Sequence, residues 1–326
     1  MKKCFITLAA VIMSAGISAF AQNPAQDAAK AIAEAKPDES KAKESLWKDD
    51  AVASVGFTNT QLTNWAAGGY NTLTLLASLD GNANYADGPM YWNNHLQLDY
   101  GFIRSADKPV TQKNNDRIYF ESKWGYKATD KLSYTAKYNF RSQFTNSFNY
   151  PVPNVEDPGR KDWLDSRVLK SGFLAPAYTD LGFGIDWVPS NWLTVNFAPL
   201  TGGYTIVLDE SLRKQYSMPL LEDAVTYKPA KFEFGAKFTA DAKFTINDVF
   251  NYKTQLVLFS NYLDKPQNLR VNWDNQIDWQ IAKHFAVTFK TYLIYDEHIL
   301  IEGSPKIQFK EYLMINYTYK FKPFRR

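Results

Sequence analysis

The chain is nearly devoid of cysteine: of 326 residues only Cys4 carries a thiol. A disulfide framework and a thiolate metal site are thereby excluded, so stability must come from the fold itself. Histidine is almost as scarce, at three residues. An excess of one charge is also missing. The 37 Lys+Arg against 34 Asp+Glu leave a net charge of +3, which supplies no basic stripe for a nucleic-acid backbone. Beyond residue 21 no run approaches the roughly 20 apolar residues of a spanning helix. H-E-x-x-H, P-loop, G-x-S-x-G and EF-hand spacings are all absent. What the chain has in quantity is aromatic side chains, 9 Trp, 20 Tyr and 22 Phe, within a hydrophobic content of 45%. That content excludes disorder for most of the chain. The class left is aromatic-rich and all-β.

The N-terminus reads as a secretory signal peptide over residues 1–21: Met1-Lys2-Lys3, an apolar stretch from Phe5 to Ile17, and Ala19-Phe20-Ala21 as the A-x-A cleavage site. Cys4 precedes the apolar core, where a lipid-anchor cysteine would follow it. Residues 22–47 are rich in Ala, Lys, Glu and Asp, with Pro24 and Pro37 as breakers. They are expected to form a periplasmic linker, part helical over Asp27–Ala35, or else a segment that engages a periplasmic partner.

From about Ala51 the hydrophobic period becomes two. Phe232, Phe234, Ala236, Phe238, Ala240, Ala242 and Phe244 alternate with Lys231, Glu233, Gly235, Lys237, Thr239, Asp241 and Lys243. Such alternation is a strand with one apolar and one polar face. The same reading predicts twelve strands, near 51–59, 71–85, 90–104, 116–128, 131–145, 177–188, 191–199, 230–245, 252–263, 269–281, 284–297 and 307–321. Their connections sort by length. Ala86–Pro89, Thr129-Asp130, Pro189-Ser190, Ile246–Asn251 and Ala282-Lys283 are short. Thr60–Tyr70, Ser105–Asn115, Asn146–Pro176, Leu200–Pro229 and His298–Lys306 are long, while Asp264–Asn268 is a short exception. Short turns on one side and long loops on the other are the pattern of outer-membrane barrels. The expected fold is a transmembrane up-and-down antiparallel β-barrel of 12 strands over residues 48–321, with 322–326 as a C-terminal tail. Aromatics lie where a headgroup belt would put them: Trp92, Trp187, Trp192, Tyr319 and Phe321, with Tyr91 beside Trp92. Outer-membrane lipid is the expected partner of that belt.

Five stretches carry a family resemblance. They are Leu62-Thr63-Asn64-Trp65-Ala66-Ala67-Gly68-Gly69, Phe173-Leu174-Ala175-Pro176-Ala177-Tyr178, Pro199-Leu200-Thr201-Gly202, Phe259 through Asn268, and Pro305 through Glu311. Together they make the chain resemble the DUF3078 family of outer-membrane barrels from Bacteroidota-type, Gram-negative bacteria. The resemblance implies insertion by the barrel-assembly machinery; it implies no activity and no binding residues. Where such barrels often end on an aromatic residue, Phe321 is followed here by Lys-Pro-Phe-Arg-Arg.

If the apolar face meets lipid, the polar face lines a lumen. Candidates for that lining are Glu121, Lys123, Lys137, Arg141, Lys231, Glu233, Lys237, Asp241 and Lys310. A lumen of mixed sign is expected to pair across strands and crowd the interior. Twelve strands lie between the filled small barrels and the wide porins. A narrow, substrate-selective or gated channel is therefore expected, with no cofactor and no metal. The alternatives are a barrel enzyme at the cell surface or a structural barrel with a periplasmic partner. The enzyme reading rests on His95, near Gln97 and Asp99, and on His298 beside Asp296 and Glu297; no serine-centred motif accompanies them. In or beside the loop around Pro151, Pro153 and Pro158, Phe144, Phe148, Tyr150 and Trp163 are placed to bury one another, to stack on a sugar or to cap a lumen.

Overall fold

A computed structural model describes residues 45–60, 70–223, 225–247, 249–297, 300–301 and 304–321. The signal peptide, most of the linker, the 62–69 motif, His298 and the C-terminal tail lie outside the described residues.

Twelve long strands form the molecule: β1 (Trp47–Thr60), β2 (Thr72–Asp87), β3 (Met90–Ser105), β4 (Thr111–Lys127), β5 (Leu132–Ser142), β8 (Ala177–Ser190), β9 (Leu193–Ile206), β10 (Ala230–Asn247), β11 (Phe250–Asn261), β12 (Leu269–Ala282), β13 (Phe285–Tyr295) and β16 (Gln308–Phe321). Each pairs antiparallel with its chain neighbour, and β1 closes on β16 through Ala51↔Phe321 to Phe57↔Ile315. Closure leaves no edge strand, the condition for backbone in hydrocarbon. The strands run from 11 to 18 residues, against the 9–11 or so that span a bilayer when tilted.

The alternation in the sequence becomes an inside-out distribution of side chains. Trp92, Phe183, Trp187 and Phe232 are exposed, whereas Asp99, Lys137, Asp186 and Glu233 are buried. A water-soluble protein would do the reverse. An apolar exterior around a polar interior is the arrangement a barrel needs in lipid.

The connections refine the expected pattern. Residues 88–89, 128–131, 191–192 and 283–284 make tight turns at one end. Gly88 has φ +54 in the first of them, a conformation that favours glycine. The Pro189-Ser190 turn is corrected: β8 continues through Ser190, and Asn191 and Trp192 turn instead. Two of the expected long loops shrink. β4 begins at Thr111, so the Ser105–Asn115 link is a five-residue turn over 106–110. β9 runs on to Ile206, because Thr201 through Thr205 keeps pairing with both neighbours across a bulge at Gly235/Lys237. β1 opens at Trp47, four residues before the expected strand start at 51 and one before the expected barrel boundary at 48.

The two longest links fold on their own. The β5–β8 link carries the short pair β6 (Ser147–Asn149) and β7 (Val168–Ser171) and a helix, α1 (Arg160–Asp165). The β9–β10 link carries α2 (Glu210–Arg213). A further pair, β14 (Leu300–Ile301) and β15 (Ser304–Pro305), lies in the last loop. Ala175, Val207, Leu212 and Met218 form a small apolar cluster between the two links, packed by Leu169, Tyr216 and Tyr227. Arg213 ties it together, its guanidinium donating to the carbonyls of Val207 at 3.1 Å, Leu208 at 3.0 Å and Tyr227 at 3.0 Å. The Tyr216 hydroxyl donates to the Lys170 carbonyl at 3.1 Å, and burial pushes its pKa well above the usual phenol value. Of the loop aromatics, Trp163 is buried beneath Lys108, and Phe148 meets Tyr150 edge-on with Arg167 over its ring.

Candidate functional site

The barrel interior holds the charged side chains, placed there by the period of two. Several bonds leap over an intervening strand, which only inward-pointing side chains can do. Lys123 on β4 reaches Asp186 on β8 at 2.7 Å, past β5. Lys237 on β10 reaches Asp180 on β8 with both carboxylate oxygens, at 2.8 and 2.9 Å, past β9. Arg270 on β12 forks onto Glu233 on β10 at 2.6 and 3.1 Å, past β11. Lys137 meets Glu121 at 2.8 Å across the β4–β5 pair.

Around these pairs the remaining lone pairs and protons are largely satisfied. Asp186 accepts from Asn196 at 2.6 Å and from the Tyr91 hydroxyl at 3.3 Å. Asn196 also donates to Thr135 at 3.1 Å. The Tyr119 hydroxyl donates to Glu121 at 2.7 Å, and Asn139 donates to Asp180 at 2.9 Å. On β11, Gln255 donates to Asp241 at 2.6 Å. A buried pair with its other hydrogen bonds made is expensive to break on one side only, about 3–5 kcal/mol.

Lys231 stands 3.4 Å from Glu233, so that acid serves both Lys231 and Arg270. Arg141 lies over the Tyr178 ring at 4.6 Å. Lys310 crosses the barrel mouth to the Asn114 carbonyl at 3.5 Å. Sequence reasoning did not single out Asp180, Asp186, Arg117 or Arg270. For the first two the signal was available: Tyr178, Asp180, Gly182, Gly184 and Asp186 alternate with Thr179, Leu181, Phe183, Ile185 and Trp187.

Two cavities open from opposite ends. One, of about 690 Å³, lies at the tight-turn end and is lined by Lys48, Tyr91, Lys123, Lys127, Ser133 and Asp186 among others. The other, of about 650 Å³, lies toward the long loops and includes Tyr119, Lys137, Asp180, Lys237 and Asp274. They share no lining residue. Along β4, β5 and β9 the inner residues pass from the first cavity to the second through Glu121, Thr135 and Asn196, which line neither. The bonded set of Glu121, Thr135, Asn196 and their partners therefore forms a polar septum on this wall.

The expected belt aromatics sit on the outside: Trp92, Trp187, Trp192, Tyr319 and Phe321 are all exposed. Trp47 meets Tyr85 and Trp92, Trp192 stacks on Phe244 at 4.9 Å, and Tyr319 meets Phe321 edge-on. Tyr91 is corrected. Its ring covers Gly125, where a Cβ would overlap it, and its hydroxyl reaches Asp186 inside the barrel. The period of two sends Tyr91 inward as surely as it sends Trp92 out.

His95 is bonded to Asp80 at 2.9 Å, with its ring edge-on to Tyr119. His284 meets the Thr318 carbonyl at 3.2 Å. Among the described residues no serine or threonine hydroxyl is bonded to the His95 ring, and no three His, Cys, Asp or Glu side chains converge as metal ligands.

Interior and exterior together define a twelve-stranded transmembrane β-barrel. Residues 57–148 match the model of the family described as protein of unknown function (DUF3078), a stretch that holds the first of the five sequence motifs. No curated protein matches the chain. Among solved structures it is similar to an outer membrane channel from Pseudomonas putida F1, with 11% identity over 88% of this chain and 100% of that one and a TM-score of 0.38. It is similar also to the NanC porin, with 7% identity over 82% and 98% and a TM-score of 0.39. A third is outer membrane phospholipase A from Escherichia coli, with 8% identity over 85% and 97% and a TM-score of 0.33. The fold assignment rests on this chain's own strand pairing.

Proposed function

We propose that the protein is a narrow, selective channel of the outer membrane. The observation that carries this reading is the pair of water-accessible cavities, one at each end of a closed barrel, parted by the polar septum around Glu121, Thr135 and Asn196. A septum of ion pairs and amides excludes neutral apolar solutes and passes small polar ones when its side chains yield. The belt of exposed aromatics supports the membrane assignment. Among the described residues no serine or threonine hydroxyl is bonded to the His95 ring, which disfavours a serine hydrolase built on the His95–Asp80 pair.

Purified protein in planar bilayers tests the reading. The wild type should show small, discrete conductance steps, and removing septum side chains with Lys137→Ala and Asn196→Ala together should raise the step size several-fold. A barrel that stays electrically silent in wild type, in that variant and with residues 143–176 shortened would overturn the channel. Crosslinking from residues 22–47 to a periplasmic protein, combined with that silence, would favour the structural alternative.

A further inference from the structure

The cavity on the long-loop side contains cations that the ion-pair network does not use. The Arg117 guanidinium lies 4.9 Å over the Tyr119 ring, and that of Arg141 lies 4.6 Å over the Tyr178 ring. Among the described residues neither makes an ion pair. Arg117 passes over a ready partner. Asp99 is directly opposite it on β3 and 3% exposed, yet Asp99 accepts only from Gln97, at 2.9 Å, and its Oδ1 is left without a partner. The buried Arg117 Nε is likewise unpartnered. Arg141 is exposed within the cavity.

Across the lumen one carboxylate faces them. Asp274 on β12 feels the charges of Arg117, Arg141 and Lys290, and forms no direct ion pair with any. Lys310 adds a further positive charge near Asp99. The lining as a whole is balanced in charge, with six acids and six cations, and within it Arg117 and Arg141 are left without a direct ion pair among the described residues. A guanidinium laid flat on a tyrosine face is held in place by the ring and keeps its N–H edge for a ligand. Two such edges on adjacent strands suit the planar, two-oxygen shape of a carboxylate. A volume of about 650 Å³ is within the range of sites for small organic molecules.

We infer that this cavity is a binding site for a small carboxylate-bearing solute, gripped by the Arg117 and Arg141 guanidinia. The inference deepens the channel reading by naming the class of solute that dwells above the septum. Its anchor is geometric: two tyrosine-backed guanidinia, unpaired, on one wall of a polar cavity.

Gluconate, with sorbitol as its uncharged counterpart, is the probe. Titration calorimetry of the full chain in detergent micelles should give saturable binding of gluconate and none of sorbitol. Arg117→Gln with Arg141→Gln should weaken gluconate binding about tenfold or more while the folded barrel's gel mobility is unchanged. If that double variant fails to fold, Arg141→Gln alone, at an exposed side chain, should still weaken it several-fold. In bilayers gluconate should reduce the chloride current of the wild type and leave that of the variant untouched. Saturable binding without any current would uphold the site and overturn the channel. Current with no gluconate binding, or with binding unaltered by the substitutions, would overturn the site and leave the channel standing. Equal affinity for inorganic phosphate would overturn the carboxylate assignment.

Discussion

The wall built from β4 to β10 and the wall built from β11 to β16 use the same alternation to opposite ends. On the first, Lys123, Lys137 and Lys237 are each tied to an acid, and Asp186, Thr239 and Asn196 are almost fully buried. On the second, Lys253 and Lys290 make no ion pair among the described residues, and Asp274 lies open to the upper cavity. The first wall is filled and cross-linked; the second is tied to it through Arg270, which meets Glu233 and Asp296, and otherwise borders the upper cavity. The difference shows that a strand pattern fixes which side chains point inward, while filling depends on complementary charges two strands apart. The first wall therefore supplies rigidity, and the second leaves the space a solute needs.

The strongest way to break this comparison is Asp186→Ala. It removes one acceptor from Lys123, Asn196 and Tyr91 together and should cost about 3–5 kcal/mol in denaturant unfolding from lipid vesicles. Lys290→Ala on the open wall should cost less than about 0.5 kcal/mol in the same assay, and equal losses would erase the distinction. Next in size, Lys237→Ala should destabilise by about 3 kcal/mol, whereas Lys237→Met combined with Asp180→Leu should recover most of the loss, since an apolar pair leaves no stranded charge.

The loop platform should yield separately from either wall. Arg213→Ala removes three hydrogen bonds to carbonyls and should open residues 207–229 to limited proteolysis, with the barrel's own unfolding midpoint unmoved. The smallest effect is set by pH. Asp223 is held below the usual carboxylate range by the Thr226 hydroxyl and by the Thr226 and Val225 amides. Because the folded pKa is the lower one, the turn's order should be complete above about pH 4. It should fade as pH falls through the lowered value, seen as faster amide exchange at Val225 and Thr226.

Much of this architecture is legible in the residues. Each of the twelve expected strands overlaps a barrel strand, because a period of two sustained for ten or more residues has no other stable reading in this composition. Strand ends were less legible. Thr201-Gly202-Gly203 looks like a turn, yet pairs on both sides, since a bulge absorbs the irregularity that glycine announces. The turn over 106–110 was overestimated because Thr111 through Asn115 is polar on both faces, without the alternation that marks a strand. The inner charge pairs were beyond reach. Lys123 meets Asp186 and Lys237 meets Asp180 through the barrel's stagger, which brings together residues 63 and 57 positions apart. Charge composition predicts that such pairs form, and only register decides which.

The central claim is that alternate residues of one strand face hydrocarbon and water. Single cysteines at positions 232 through 244, in a background whose lone Cys4 is replaced by serine, allow spin labels to be scanned along β10 in vesicles. The account predicts oxygen accessibility peaking at Phe232, Phe234, Phe238 and Phe244, and accessibility to a water-soluble nickel complex peaking out of phase at Glu233, Lys237 and Thr239. Two profiles that rise and fall together, or that repeat every three to four residues, would contradict it.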